Sequence, residues 1–579
     1  MRDINQLFTL WQTDPFFDEE TRKELTAIKD DPAEIEERFY QNLEFGTAGL
    51  RGILGAGTNR MNIYTVAWAA EGFASYVDEL GDEAKERGIA ISYDSRHYSP
   101  EFAEVAACIF AKHKIKVHLY PELRPVPMLS FAVRYFNCVG GIMITASHNP
   151  KEYNGFKAYG EDGSQLAPEA ADIVMAKMNE IDDITTLSWP TIDEALESGY
   201  VEYISSEVDD AYINMLKDLS INGDKVKAQS DMKIIYTPLH GAGNKPVRRI
   251  LKELGFTNVI VVPEQAEPDP DFSTVKNPNP EYREALELAI QLADKEKADL
   301  VIANDPDADR TGLAVRRNDG SYQVLTGNQI GLLLMEYILS AKSQRGELPD
   351  QSFVATTIVS TKLTKKVAAA YDVDLYEVLT GFKFIGELIK NLDEFGDQHF
   401  QFGFEESFGY LSGTDVRDKD AVVASMLLAE MAATARDEGL TISDYLDRLY
   451  EKYGYGFENT ISISMEGITG LTKIQNALTT LREDKSPTFG DVNVKAIRDY
   501  KEQNRVDFET GEETKLDLPE SNVLLYEVDG LDWFCVRPSG TEPKIKVYTG
   551  TYGDDREETR ERLDQLTKAV ENKINALLD

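Results

Sequence analysis

Three short polar segments hold the residue types that group-transfer chemistry requires. The first is Gly141 to Gly155, GIMITASHNPKEYNG, where the apolar run Gly141 to Ile144 breaks into a turn bearing Ser147 and His148. A buried strand that ends in a polar loop presents its side chains at the carboxyl edge of a sheet, where α/β proteins bind ligands. Ser147, expected to be exposed there, reads as a nucleophile; an ordinary Ser/Asn/Pro turn would use the same residues. The second segment is Asp305, Asp307 and Asp309 with Arg310, after the strand-like run Asp299 to Ala303. Carboxylates at alternate positions can converge on one hard cation, and an all-oxygen set suits Mg²⁺. An EF-hand loop is excluded, because Arg310 and Arg316 stand where it needs Gly and Glu. A solvated acidic turn is the plain alternative, but Arg310 beside three acids points to a site that handles a cation and an anion together. The third segment is Arg537, Ser539, Gly540 and Thr541, after the apolar Trp533 to Val536. A guanidinium fork, two hydroxyls and a glycine that admits close approach make a phosphate cradle. A β-turn with a solvated arginine would look the same.

These loops need strands to hold them, and the pattern supplies strands alternating with amphipathic helices. Gly88 to Tyr93 predicts a strand, Glu101 to Lys112 a helix, Ile115 to Leu119 a strand and Met128 to Tyr135 a helix ahead of the serine strand. That is βαβαβ, so a mainly parallel sheet is expected. The pattern recurs after Glu207, with strands at Met232 to Tyr236 and Val259 to Val262 and a helix over Glu281 to Leu292 leading to the aspartate strand. It recurs again from Gly327, with a strand at Phe353 to Ile358 and a helix near Lys362. From about Asn459 the character changes to alternating strands at Thr460 to Met465, Val523 to Val528 and Lys544 to Thr549, which fits a separate α+β domain.

At 579 residues the chain exceeds one core and implies about three to five domains. A formal charge of −40 opposes nucleic acid and anionic membrane, so a phosphorylated substrate must be drawn by locally placed arginines and lysines. Cys108, Cys138 and Cys535 sit in separate apolar strings and read as buried free thiols, which favours a reducing, cytoplasmic setting. The N-terminal MRDINQLFTLWQTDPFF has no long apolar core, and no stretch reaches the ~20 apolar residues of a membrane span. A dinucleotide fold is disfavoured, since no GxGxxG is present, and no phosphate-loop lysine motif occurs either. A serine hydrolase would place Ser147 in a G-x-S-x-G elbow and leave the aspartates unused. Of the histidines other than His148, His240 in its Gly-rich strand end is the one that could reach a site.

TASHNP, DPDADR, the GFEES of Gly403 to Ser407 and RPSGTEPK occur in the order and spacing of the α-D-phosphohexomutases, and FGTAGLRG at Phe45 to Gly52 resembles that family's N-terminal segment. The chain thus resembles the phosphoglucomutase/phosphomannomutase family over nearly its whole length. The resemblance implies a heart-shaped enzyme with a central cleft, built from three related α/β domains and a C-terminal α+β domain. Their bounds are expected at 1–205 (phosphoserine loop), 206–320 (metal loop), 321–455 (sugar loop) and 456–579 (phosphate loop). It also implies that Ser147 carries a phosphoryl group and joins Asp305, Asp307 and Asp309 around Mg²⁺. Arg51, Lys157, Arg310 and Lys419 resemble catalytic positions, and His148 the family's acid or base; a turn-capping role for His148 stays open. Lys383 in TGFK resembles a phosphate or hydroxyl contact, and Glu405 and Ser407 the pair that reads the sugar's 3 and 4 hydroxyls. GFEESFGY is closest to the glucose-type loop GEESFG, with Phe404 where the plain form has Gly. The implied reaction interconverts α-glucose 1-phosphate and glucose 6-phosphate, with glucose 1,6-bisphosphate as activator. Mannose or pentose phosphates within the same superfamily, or non-catalytic binding of a sugar phosphate, are the alternatives. The expected state is a monomer or homodimer.

Overall fold

The computed structural model describes residues 3–46, 49–465, 467–484, 487–538 and 544–578. The chain falls into two compact units. One holds Met1–Thr326, Ile385–Phe402 and Ser407–Ile442; the other holds Gly327–Phe384, Gly403–Glu406 and Ser443–Asp579.

In the first unit, strands β1 (Leu50–Ile53), β2 (Ile89–Tyr93), β3 (Val117–Leu119), β4 (Gly140–Ile144), β5 (Tyr153–Gly160) and β6 (Val201–Tyr203) form a sheet of order β1-β5-β4-β2-β3-β6. β4, β2, β3 and β6 run parallel, while β5 runs antiparallel to β4 and β1. The apolar strands are buried because helices such as Ile63–Leu80, Ser99–Lys112 and Val126–Tyr135 connect them and cover the sheet. Parallel pairing of β2 with β4 matters for function, because it delivers Asp94 and Thr145 side by side at one carboxyl edge. β5, which the sequence pattern did not predict, returns from that edge and carries Lys157 opposite Met143. It can lie this close because residue 155 is glycine: a Cβ there would sit 2.5 Å from the Thr145 carbonyl oxygen.

A second sheet in the same unit contains β7 (Ile234–Thr237), β8 (Val259–Val261), β9 (Leu300–Asn304), β10 (Thr311–Arg316) and β11 (Tyr322–Val324), in the order β11-β10-β9-β7-β8. β8, β7 and β9 are parallel, and β9 and β10 form a hairpin whose turn is the aspartate loop. The loop after β7 packs on that turn, with Ala242 N–H donating to Pro306 O at 2.8 Å, and a Cβ at Gly241 would meet Pro306 Cα at 2.4 Å. The helix expected over Glu281 to Leu292 begins instead at Glu287, preceded by a 3₁₀ turn over Arg283–Leu286. The Asn279 side chain accepts the Glu281 N–H, a local turn that competes with helix nucleation. The nearly all-buried helix Ala421–Asp437 is capped by Asp420, which accepts the N–H groups of Val422 and Val423.

The second unit opens with the helix Gly327–Arg345 and the parallel pair β12 (Ser352–Thr357) and β13 (Asp374–Val378), linked through the helix Leu363–Ala370. β14 (His399–Glu405) and β15 (Gly409–Leu411) follow in the chain. The C-terminal part is an antiparallel sheet of seven strands: β16 (Tyr455–Ser464), β17 (Ala496–Asp499), β18 (Asn504–Asp507), β19 (Glu513–Lys515), β20 (Leu524–Glu527), β21 (Trp533–Pro538) and β22 (Lys544–Gly553). Helices Gly467–Glu483 and Arg556–Leu578 cover the apolar sheet face that contains Phe534, Val536 and Val547, and the second helix adds Val570 to that core. Three α/β sheets and one antiparallel domain match the fold class read from the sequence.

Candidate active site

Ser147 does not stand on the surface as expected. It is 3 % exposed, folded back into the carboxyl edge of the first sheet. Three groups hold it there. Thr145 Oγ1 accepts the Ser147 N–H at 2.8 Å. The buried Arg96 guanidinium donates from Nη2 to the carbonyls of Ser147 and Asn149, both at 2.5 Å, and from Nη1 to those of Pro150 (2.9 Å) and Tyr153 (3.0 Å). Asp94, also buried, lies 3.2 Å from Arg96 Nε through Oδ2, and its Oδ1 accepts the Arg96 N–H and the Ser99 hydroxyl. Ser147 takes φ = 52°, in the left-handed region that costs a non-glycine residue on the order of 1 kcal/mol and persists only where the surroundings over-determine it. Its Oγ is 3.0 Å from Asp305 Oδ2 and 3.0 Å from His148 Nδ1.

Asp305, Asp307 and Asp309 are all buried and each offers an oxygen within 4.8 Å of the others. Asp305 Oδ1 accepts the N–H groups of Asp309 and Arg310, which curls the loop, and Ala308 takes φ = 48° at its tip. Burial, then the charges of Asp307 and Asp309, push the Asp305 carboxyl well above the usual range. Burial also raises Asp309, but Lys419, Lys157 and Arg310 overcome it and hold that carboxyl below the usual range. Asp307 Oδ1 and Asp309 Oδ1 are buried with no hydrogen-bond partner among the described residues. Two orphaned carboxylate oxygens in a convergent all-oxygen set fit a divalent cation, since a buried anion needs a compensating charge.

Lys157 Nζ is 2.7 Å from Asp307 Oδ2 and 3.4 Å from Asp309 Oδ2; Lys419 Nζ is 3.3 Å from Asp309 Oδ2 and 2.9 Å from Asp418 Oδ1. Arg310 pairs with Glu281, its Nε 3.9 Å from Asp309 Oδ1. Arg51 donates from Nη1 to Asn149 Oδ1 at 3.2 Å. Burial, then the positive charges of Arg310 and Arg51, hold His148 well below its ordinary pKa, so its imidazole is neutral beside the Ser147 hydroxyl at physiological pH. The structure therefore brings together Ser147, His148, Arg51, Lys157, the three aspartates, Arg310 and Lys419.

In the second unit, Glu405 Oε1 accepts the Gly381 N–H at 2.7 Å, which joins the GFEES segment to the TGFK turn of Lys383. Glu406, beside it, accepts from Thr357 Oγ1 at 2.9 Å. Arg537, near the end of β21, is half-buried, as is Ser407, which belongs to the first unit; Ser539, Gly540 and Thr541 lie outside the described residues. His240 is no part of the site: its ring nitrogens contact Glu267 O and Thr274 Oγ1. Sequence reasoning missed Asp94, Arg96 and Thr145. The signal available was Asp94-Ser95-Arg96 at the end of a strand next to the serine strand.

Comparison with known proteins follows the same layout. Family models described as phosphoglucomutase/phosphomannomutase alpha/beta/alpha domains I, II and III match residues 42–185, 210–320 and 326–453, and the family's C-terminal domain matches 487–568. A phosphoglucomutase of Staphylococcus aureus (strain MRSA252) is 38% identical over 537 residues, 92% of this chain and 94% of that protein. One from Staphylococcus epidermidis is 40% identical over 516 residues, 89% and 92% of the two chains. The crystal structure of a putative phosphomannomutase from Thermus thermophilus shares the fold, with TM-score 0.66 at 22% identity over 92% of this chain and 99% of that one. So does the open form of the parafusin phosphoglucomutase from Paramecium, with TM-score 0.66 at 17% identity over 93% and 96%.

Proposed function

From this chain's membership of the phosphoglucomutase/phosphomannomutase family, we propose that Ser147 is the phosphoryl carrier of a phosphoglucomutase that interconverts α-D-glucose 1-phosphate and glucose 6-phosphate. The observation that carries this reading is the Ser147 hydroxyl, 3.0 Å from both an aspartate oxygen and an imidazole nitrogen. The enzyme is an isomerase, an intramolecular phosphotransferase. Loading of the serine starts from glucose 1,6-bisphosphate. Ser147 Oγ attacks one phosphorus, the bond from that phosphorus to the sugar oxygen breaks, and the serine proton passes through His148 to the departing sugar oxygen. Turnover reverses this at one sugar hydroxyl and repeats it at the other, so the bisphosphate is both intermediate and activator.

Mg²⁺ would be held by Asp305, Asp307 and Asp309 with a phosphoserine oxygen, and when bound it neutralises charge that develops on the transferring group. Lys157, Lys419 and Arg310 place cations around the same oxygens, and Arg51 supports the loop through Asn149. Glu405, Ser407 and Lys383 read the sugar, while Arg537, Ser539, Gly540 and Thr541 grip the distal phosphate. The domains divide at 205, 320 and 455. No helix among the described residues is long and apolar enough to cross a membrane, and three buried thiols suit a reducing, cytoplasmic compartment.

Intact-mass analysis after incubation with glucose 1,6-bisphosphate and Mg²⁺ should show one phosphate that maps to Ser147. In its persistent absence the protein would be a binder of sugar phosphates rather than a mutase. Comparing kcat/KM for the α-1-phosphates of glucose, mannose, glucosamine and ribose then fixes the sugar. Glucose is expected to lead with weak mannose activity, because the epimer differs at a hydroxyl that Glu405 and Ser407 do not read. A ribose value at or above glucose overturns the assignment.

A further inference from the structure

The strained serine loop has a single hub. Arg96 is 2 % exposed and spends four hydrogen bonds on carbonyls of one loop, those of Ser147, Asn149, Pro150 and Tyr153. These carbonyls start at the nucleophile's own and continue on its C-terminal side, so the guanidinium fork fixes where the chain leaves residue 147, while Thr145 Oγ1 holds the N–H on the other side. The position of the guanidinium is set by Asp94, which accepts the Arg96 N–H at 3.0 Å and stands 3.2 Å from Nε. The second oxygen of Asp94 accepts the Thr145 hydroxyl at 2.7 Å, and that hydroxyl accepts the Ser147 N–H while lying 3.1 Å from Asp307 Oδ2. One hydroxyl thus touches the serine backbone, the arginine's anchor and the aspartate loop.

We propose that Arg96, held by Asp94 and completed by Thr145, is a positioning residue for phosphoryl transfer: it forces Ser147 into the left-handed conformation that aims Oγ at Asp305 and His148. The inference rests on the reading of Ser147 as the phosphoryl carrier. It needs the planar fork, because an ammonium is a point charge that cannot hold four carbonyls in fixed directions. Arg96 touches no reacting atom, so its loss should act on the chemical step rather than on sugar binding. A displacement of about 1 Å at a nucleophile costs roughly 100-fold in rate.

The test compares the wild type with Arg96→Lys, Thr145→Val and Thr145→Ser, each checked for fold by far-UV circular dichroism and thermal melting. The rate of Ser147 phosphorylation by glucose 1,6-bisphosphate is read by quenched intact-mass analysis, and kcat and KM are measured separately. Arg96→Lys and Thr145→Val should slow phosphorylation and kcat by about 100-fold with KM within about 3-fold, and Thr145→Ser, which restores the hydroxyl, should recover most of the rate. A folded Arg96→Lys or a folded Thr145→Val at the wild-type rate overturns the positioning role, as does a slow Thr145→Val that Thr145→Ser fails to rescue. If Arg96→Lys does not fold, the two Thr145 variants decide by the same criteria. A wild type that takes no phosphate on Ser147 overturns the carrier reading instead, so the two failures are distinct.

Discussion

Lys157 Nζ lies 2.7 Å from Asp307 Oδ2, a buried ion pair between the first sheet and the aspartate hairpin. Removing one partner of such a pair leaves an uncompensated buried charge worth about 3 to 5 kcal/mol. Lys157→Met should therefore lower stability by about 3 kcal/mol in EDTA, and saturating Mg²⁺ should recover more stability in the variant than in the wild type. Urea denaturation with and without the cation reads both numbers; equal cation effects would show that Lys157 and the metal do not share the site's charge.

Ser147→Ala should abolish mutase turnover and the phosphate adduct while the protein stays folded. Ser147→Gly should abolish both and also raise stability by roughly 1 kcal/mol, because glycine occupies φ = 52° without steric cost. Denaturant midpoints for the two variants check the difference, and a glycine variant no more stable than the alanine one would mean that the loop stores no backbone strain.

His113 bridges two helices, with Nδ1 2.6 Å from Asp78 and Nε2 2.9 Å from Glu71. Burial lowers its pKa, but the two carboxylates outweigh burial and raise it. A histidine pKa raised by folding adds stability that is fully present below its unfolded value near 6.5 and is lost as pH rises through the folded value. The wild type should thus be stabilised by about 1.5 kcal/mol over His113→Gln at pH 6, with the gap narrowing at higher pH. A gap that stays constant from pH 6 to 10 would contradict a doubly hydrogen-bonded imidazolium.

Arg537→Ala should weaken phosphosugar binding by about 1.5 to 3 kcal/mol, the range of a charge-assisted hydrogen bond, and leave binding of the unphosphorylated sugar nearly unchanged. Calorimetry on the pair of ligands measures this, and equal losses would return Arg537 to a structural role.

Much of the site was legible in the sequence because a strand pattern led into each polar loop, as Gly141 to Ile144 leads to Ser147 and Leu300 to Ala303 leads to Asp305. The rest depended on contacts between segments far apart in the chain. Asp94 and Arg96 look like any solvated pair until β2 is placed parallel to β4, when they become neighbours of residues about 50 positions away. β5 was hidden because Tyr153 to Gly160 mixes Gly, Asn and Lys with aromatics, and only its burial between β1 and β4 makes it a strand. Ser147 was expected outside for the same reason: the groups that enclose it come from other segments.

Cys108, Cys138 and Cys535 are buried, and burial pushes each thiol up to about 12. Thiolate is the reactive form, so alkylating reagents at neutral pH will meet almost none of it in the native protein. The three sulfurs are natural reporters of opening, two in the first unit and one in the second. Mass-resolved labelling kinetics can time the breathing of each unit separately in the unmodified chain.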